Sequence, residues 1–499
     1  MTSEPRPEDS LRQLARDQWW VLALGAMVYL GAVRPFFGIT ADDAFISFRY
    51  AQNWAAGCGP VYNCGQPPVE GYTNFLWTAL GALVISLGLP VVETMRLVGL
   101  VCGLAMVGWA VLLCRQVHRR RAAQIAPVAA IAACPFFAVN AVVGLETAAA
   151  TLSVLVAAQL SLTLPDGKRP WIPGLAWGVS YLIRPEAMGL AALTGIFFFT
   201  GGLVRRLGLR RTLRGVLVYA VGFVVVAGPY FIWRLVYYRD LLPNTFYAKH
   251  VPLPVLLPRN LRLIADSWTY FAPLLLVAVA AVVLSRKGRQ LYLLLLALAA
   301  EAVALSVHNN FWMPGHRLHL TSAALLLVVA AGVVDLRLGQ RRWVGAAALG
   351  GLCAVLLCAC WFAYPKTHEL AHLHYARDDH PAMKMGLAIR RWARPGDWLA
   401  IRDAGMVPFY AGPAVNVLDM HRHSLNDRRI TREGWDLGYI MSHKPRFIVF
   451  ASVHGGQLVY THPEERAIAD SPAFRAAGYR LVMRTAWHRI RHFFLFRRD

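Results

Sequence analysis

The sequence predicts a polytopic α-helical membrane protein that ends in a water-facing α/β domain, and three observations predict it. Of 499 residues, 57% are hydrophobic and only 16% are charged, with a mean hydropathy of +0.43. The apolar residues are gathered into repeated runs of about 20, the length that crosses a bilayer as a helix. Beyond Ala363 these runs stop, and charged residues alternate with short β-branched and aromatic stretches.

The net charge of +23 raises nucleic-acid binding as a class. That class needs basic residues spread over one folded surface. Here they sit at the ends of apolar runs, which is the pattern of membrane topology, so no nucleic-acid partner is expected.

Crossings follow from the apolar runs, and their direction from the rule that short basic loops stay in the cytoplasm. Run 19–37 follows Arg6, Arg12 and Arg16 and is too long for a cleavable signal, so it reads as a signal anchor with the amino terminus inside. The polar loop 38–74 then lies outside. If both 75–89 and 96–114 crossed, the basic segment Arg115, Arg119, Arg120, Arg121 would face outward. The segment 75–89 is therefore expected as a juxtamembrane or re-entrant helix. Further crossings are expected at 123–142, 146–163, 171–184, 186–203, 215–236, 264–284, 290–308, 318–335 and 343–363, about eleven in all. The division is a membrane domain, 1–363, and an extracytoplasmic α/β domain, 364–499. In the latter, 381–393 reads as an amphipathic helix and 398–403, 415–419, 446–452 and 479–485 as strands. The basic tail from His488 to Arg498 offers cations to anionic lipid.

The outer loops carry the chemistry. Loop 38–74 supplies Asp42, Asp43, Arg49, Tyr62, Glu70, Tyr72 and Asn74; the later outer turns supply Glu146, then Arg184 and Glu186, then Asn244 and Lys249, then Trp312, His316 and Arg317. Ionisable residues near membrane depth are costly and tend to mark substrate pathways. Arg and Lys suit a phosphate, aromatic rings suit a sugar face or the membrane interface, and a carboxylate can take a proton from a hydroxyl nucleophile. Together they suit transfer of a sugar from a lipid phosphate carrier to an acceptor outside the cytoplasmic membrane. A transporter of lipid-linked sugars is the alternative, but it predicts internal repeats and midplane charges, and neither is evident.

Each residue also has a plainer role open to it. Asp42 and Asp43 could cap the helix that starts near Ala44, and Arg184 with Glu186 could be a structural ion pair. Lys249 and Arg317 could snorkel to the interface, Glu70 could organise its loop, and Tyr62, Tyr72 and Trp312 could be belt aromatics. His316 and His319, three apart, could pair on a metal. The two adjacent acids could hold a divalent cation, Mg or Mn rather than zinc because only oxygen ligands are on offer; Arg and Lys could neutralise a phosphate without it. Cys58 and Cys64 flank a glycine- and proline-rich turn in the outer loop and are expected to form a disulfide. The other cysteines sit in or at the ends of apolar runs, where a thiol behaves as a small hydrophobe.

The strings DDAFISFRYAQN and VEGYTNFLW of the first loop, IRPE at 183–186, YYRDLLPNTFYAK at 237–249 and WMPGHR at 312–317 carry a resemblance. The chain resembles bacterial membrane glycosyltransferases of the GT-C fold, most of all the arabinofuranosyltransferases that use polyprenyl-phosphoryl arabinose. The resemblance implies inverting transfer from a polyprenyl-phosphate sugar to a glycan, lipid or protein acceptor, with Asp42 or Asp43 as the base, in the inner membrane of a bacterium. Two departures stand out: Phe311 precedes WMP where related sequences often carry an acid, and the Cys58 and Cys64 pair is a local feature.

Overall fold

The computed structural model describes residues 19–118, 120–163, 169–249, 272–306, 315–335, 362, 364–372, 376–377, 380–487 and 491–499. Of the expected crossing 343–363 only residue 362 is among them; Trp312 and residues 264–271 of the expected crossing 264–284 lie outside.

The first apolar run forms the helix Trp19–Val33, which ends in a 3-10 turn, Arg34–Phe36, at Pro35. Its fully buried Tyr29 donates to the carbonyl of Phe137 at 3.1 Å. The helix Val91–Val117 packs beside it. Gly103 makes that approach possible, since a Cβ there would stand 2.2 Å from the Tyr29 hydroxyl, and Gly99 does the same toward a third segment, where a Cβ would stand 2.1 Å from Ala141 O.

The expected crossing 123–142 is two helices, Arg121–Ala133 and Pro135–Val142, bent by 58° where Pro135 starts the second. The helix Phe75–Ser86 has 12 residues, about 18 Å at 1.5 Å per residue, well short of a bilayer core of about 30 Å. It packs against the first loop and the helix Trp171–Ile183. Five described helices are long and apolar enough to cross a membrane, or six if the bent pair is one span. The runs at 146–163 and 171–184 form the shorter helices Thr147–Thr163 and Trp171–Ile183.

The first loop is built around a helix, Asp42–Ala55, which begins two residues before the expected Ala44 and buries Phe45, Phe48, Arg49, Tyr50 and Asn53. A loop with many polar residues hides an amphipathic helix when its polar groups face a second domain rather than water. Just before it, β1 (Ile39–Thr40) pairs antiparallel with β2 (Ala376–Arg377).

The carboxyl-terminal part opens on the amphipathic helix Pro381–Trp392. Five strands follow: β3 (Trp398–Ile401), β4 (Asn416–Asp419), β5 (Phe447–Ser452), β6 (Arg480–Trp487) and β7 (Arg491–Arg497), in the order β4-β3-β5-β7-β6. β3 pairs parallel with β4 and β5, while β7 is antiparallel to β5 and β6. β5 is buried along its whole length, because it is flanked by β3 and β7 and covered by apolar side chains on both faces. The tail expected to meet lipid is instead β7, seated between β5 and β6 with Phe493, Phe494 and Leu495 buried. The apolar string FFLF, with its β propensity, outweighs the flanking arginines. One face of this sheet joins a continuous apolar core with the helical bundle; the other has its own core of Leu418, Ile430, Ile448, Phe450 and Ile468.

Candidate functional site

The first loop is clamped to the carboxyl-terminal sheet by buried polar contacts. Arg49 is fully buried, and every N–H of its guanidinium is taken: by the carbonyls of Tyr62, Pro408, Gly412 and Val415 and by Asn63 Oδ1, at 2.6 to 3.3 Å. Arg49 is therefore a structural clasp, with no donor left for substrate. Asn63 also bonds the edge of β4 in both directions, accepting from Val417 N at 2.8 Å and donating to Val417 O at 2.9 Å.

Three more expected substrate residues are structural. Glu70 is buried against Arg234, with a 3.0 Å bond from Nε, and accepts from Tyr230 at 2.9 Å. Tyr72 is buried and its hydroxyl meets that of Tyr238 at 3.0 Å. Asn244 is buried and donates to Leu425 O at 2.9 Å and Thr431 Oγ1 at 3.0 Å, docking the helix Asn244–Lys249 onto the α/β part. Cys58 and Cys64 are joined, with Cα atoms 5.4 Å apart. Their loop presents the carbonyls of Val61 and Tyr62 to Asn53 at 3.0 and 2.8 Å.

The remaining candidates gather in one place. Asp42 and Asp43 fill the first turn of the helix Asp42–Ala55, where the helix dipole favours negative charge, and neither acts as a side-chain cap. They differ in environment. Asp42 Oδ1 accepts from Met406 N at 2.8 Å, and a Cβ at Gly405 would stand 2.4 Å from its other oxygen. Asp43 is half-buried, makes no hydrogen bond or ion pair among the described residues, and lies within electrostatic reach of Lys249.

Glu146, buried in the turn before the helix Thr147–Thr163, accepts from Asn74 Nδ2 at 2.8 Å and Arg184 Nη1 at 2.6 Å. Asn74 is itself held by Ser47 at 3.1 Å, tying the first loop to this turn. Arg184 also donates to both oxygens of Glu186. Burial alone would raise both glutamates; Arg184 more than offsets it, joined at Glu146 by Arg317, and holds both carboxyls below the usual carboxylate range. The cation of Arg184 is thus largely spent on two acids.

Arg317 is not. Its Nε and Nη1 are buried without a partner among the described residues. Unpaired buried donors of this kind cost free energy unless a water or a ligand meets them. Arg317 lines a cavity together with Arg184 and Glu186 and with the apolar side chains of Ala150, Val154, Leu190, Ala300, Val303 and Ala304. Lys249 faces the same cluster. Burial, then the neighbouring Arg317 and Arg184, push its amine below the ordinary lysine range against the pull of Asp43 and Glu186.

Sequence reasoning missed the seat of Arg317. His319 Nδ1 meets Glu301 Oε1 at 2.7 Å, and Ser322 Oγ donates to Glu301 Oε2 at 2.6 Å, all three buried. This network anchors the 3-10 turn Arg317–His319, whose other side is held by Asn140 Nδ2 on Gly315 O at 2.8 Å. A lone acid inside an apolar helix was the available signal. His319 is thereby committed to Glu301 rather than poised with His316 for a metal; His316 packs edge-on against Phe136, with centroids 4.8 Å apart. Among the described residues, no group of three or more His, Cys, Asp or Glu gathers as metal ligands would.

Residues 369–498 match a family model described as a domain of unknown function, DUF8728. The chain is 34% identical over 228 residues to a terminal β-(1→2)-arabinofuranosyltransferase of Mycobacterium tuberculosis, covering 42% of this chain and 34% of that protein. It is 28% identical over 238 residues to the enzyme of the same description from Corynebacterium glutamicum, covering 42% and 33%. The match thus spans about a third of the length of these curated relatives. Among solved structures, ArnT from Cupriavidus metallidurans bound to undecaprenyl phosphate aligns over 96% of this chain and 98% of its own, at 15% identity and a TM-score of 0.63. The oligosaccharyltransferase of Archaeoglobus fulgidus aligns over 87% and 70%, at 11% identity and a TM-score of 0.55. The chain is a helical membrane protein with the GT-C fold, and it is similar to arabinofuranosyltransferases.

Proposed function

We propose that this chain is an inverting glycosyltransferase that moves a sugar, arabinofuranose, from a polyprenyl-phosphate carrier to an acceptor hydroxyl on the extracytoplasmic side of a bacterial inner membrane. The observation that carries the reading is the pair of buried nitrogens of Arg317, Nε and Nη1, without a partner among the described residues, on a cavity otherwise lined largely by apolar side chains, with Lys249 and Asp43 in electrostatic reach of one another. A phosphate on an isoprenoid tail has that polarity. Its tail would lie along Ala150, Val154, Leu190 and Ala300, and its oxygens would meet Arg317 and Lys249. The undecaprenyl phosphate bound by ArnT and the dolichol-phosphate bound by the archaeal oligosaccharyltransferase support a ligand of this class.

The residues divide the work. Arg184 is held by Glu146 and Glu186 and shapes the cavity mouth rather than serving as the main phosphate clamp. Asp43, free of hydrogen bonds among the described residues, is the base. It takes the proton of the acceptor hydroxyl as that oxygen attacks the anomeric carbon from the face opposite the phosphate. The bond from the anomeric carbon to the phosphate oxygen breaks, and its electron pair leaves with the phosphate, whose charge Arg317 and Lys249 stabilise. One displacement inverts the anomeric centre. The membrane part, 1–363, would carry this chemistry with its amino terminus in the cytoplasm, and the part from 364 to 499 would cover it from outside, about eleven crossings in all.

The test uses synthetic polyprenyl-phosphoryl arabinofuranose and competing donor sugars with the full chain in lipid nanodiscs. Transfer by the wild type with inverted configuration in the product, lost in Asp43→Asn, is the expected result. A product of retained configuration overturns the single-displacement mechanism. Consumption of no donor by folded wild type overturns the enzymatic reading.

A further inference from the structure

The carboxyl-terminal sheet meets the paired acids at one edge, where Met406 follows β3 and binds Asp42 at 2.8 Å. The opposite edge takes no part in the chemistry proposed above. There β3 and β5 begin and the antiparallel β7 ends, so three neighbouring strands bring together segments that are distant in sequence. Arg394, Asp397 and Trp398 come from the first, Lys444 and Arg446 from the second, and Arg498 and Asp499 from the third; with Gly396 they line one cavity of about 230 Å³.

Hydrogen bonds fix the frame of this cavity. Asp397 Oδ2 accepts from Arg394 N at 2.7 Å and from Arg446 Nη1 at 2.8 Å, so its charge is already engaged. Arg446 N donates to Trp398 O at 2.9 Å, Arg498 N to Arg446 O at 3.1 Å, and Arg498 Nη2 to Lys444 O at 2.6 Å. What is left over is positive. Four cationic side chains stand against two carboxylates, and among the described residues Arg394, Lys444, Arg498 and Asp499 make no ion pair through their side chains. Nε of Arg446 and Nε of Arg498 are buried without a partner, open to a water or a ligand. With Nη1 on Asp397, Arg446 keeps Nε and Nη2, the two parallel donors of one guanidinium fork.

Unpaired surface cations alone need no ligand, but the backbone of Lys444 adds to them. It ends the helix Leu437–Ser442 with φ +46°, in the left-handed region that a β-carbon disfavours and where glycine is the usual residue. A strained position is thus filled by a cation that lines the cavity, and strain of this kind gathers at ligand sites. We propose that this cavity is a binding site for a phosphate-bearing anion. Donors from three segments suit the several oxygens of a phosphate better than the two of a carboxylate, and the surplus of positive side chains suits a dianion. Soluble phosphate esters and the headgroups of anionic lipids share that chemistry. The site is separate from the donor seat at Arg317 and Lys249 and does not rest on the glycosyltransferase reading.

The test uses the full chain in phosphatidylcholine nanodiscs, with inorganic phosphate as the probe and phosphorus NMR line broadening and thermal unfolding as readouts. Wild type, Lys444→Gly, Arg394→Gln and, as a control at the donor seat, Lys249→Gln are compared. Phosphate Kd should rise about 10-fold in Lys444→Gly and in Arg394→Gln, the weight of one lost charge-assisted hydrogen bond, and hold in Lys249→Gln. The thermal midpoint of Lys444→Gly should not fall, because glycine takes a positive φ without strain; weaker binding there is then not loss of fold. Unchanged Kd in both Lys444→Gly and Arg394→Gln overturns the site, as does a loss confined to Lys249→Gln. Wild type that broadens the phosphate line no more than empty nanodiscs overturns it as well. Adding phosphatidylglycerol to the nanodiscs of Lys249→Gln separates the two sources: displaced phosphate assigns the cavity to a lipid headgroup, and retained phosphate assigns it to a soluble ester.

Discussion

Asp42 accepts a 2.8 Å hydrogen bond from the backbone amide of Met406, and this contact separates two acids that are adjacent in sequence. Asp42 is committed to the sheet that covers it, while Asp43 makes no hydrogen bond or ion pair among the described residues and lies within electrostatic reach of Lys249. The expected outcome is asymmetric. Asp43→Asn should lower kcat by about 10²- to 10⁴-fold, the range for losing a positioned base, with donor KM near wild type. Asp42→Asn retains an acceptor oxygen for Met406 and should stay within about threefold of wild type, a loss well under 1 kcal/mol. Comparable losses in both would sink the assignment.

The clasp of Arg49 makes a second prediction. Lysine cannot reach the carbonyls of Tyr62, Pro408, Gly412 and Val415 at once, because its donors radiate from one atom. Arg49→Lys should cost about 3 kcal/mol or more, since several buried carbonyls lose their donor. A fall in thermal midpoint and faster proteolysis between the first loop and residues 404–417 would report it. Donor KM of the surviving folded fraction should not change.

How much of this was legible in the sequence can be argued from these same residues. The helical membrane fold followed from apolar run length, and β3 to β6 followed from alternation, because both signals are local. The outer-loop candidates were found, but their division into structural and chemical roles was not. Arg49, Glu70 and Asn244 look as suitable for substrate as Arg317 and Lys249 until their partners are seen, and those partners lie up to 366 positions away. Glu301 was passed over because it sits alone in an apolar helix, and its meaning depends on His319 and Ser322. β7 was hidden by its flanking arginines, a case of composition outvoting a short apolar core.

Lys249 gives a pH dependence. Its amine is pushed below 10.5 by burial and by Arg317 and Arg184, so it loses its proton earlier than an ordinary lysine as pH rises. A neutral amine cannot offset phosphate charge. Donor KM should therefore climb on the alkaline side at a pH below 10.5, while Lys249→Arg, which keeps its charge, should show no such rise. A flat wild-type profile up to that pH would remove Lys249 from the phosphate site.

The last prediction concerns the seat of Arg317. Glu301 binds His319 at 2.7 Å and Ser322 at 2.6 Å, and these bonds fix the turn that carries Arg317. Glu301→Leu would leave an imidazole and a hydroxyl buried without their partner, which costs about 1–3 kcal/mol for each group. The turn should relax and Arg317 should lose its aim, so donor KM should rise by about 10-fold or more, since 1.4 kcal/mol is worth a factor of ten. Acceptor KM should hold, because Glu301 lies on the membrane side of the site. Glu301→Gln keeps an oxygen for His319 and should recover most of the loss. A structural role without positioning predicts a different result: lower stability with an unaltered donor KM in the folded fraction. The ratio of donor KM between Glu301→Leu and Glu301→Gln, measured at matched folded concentration, separates the two.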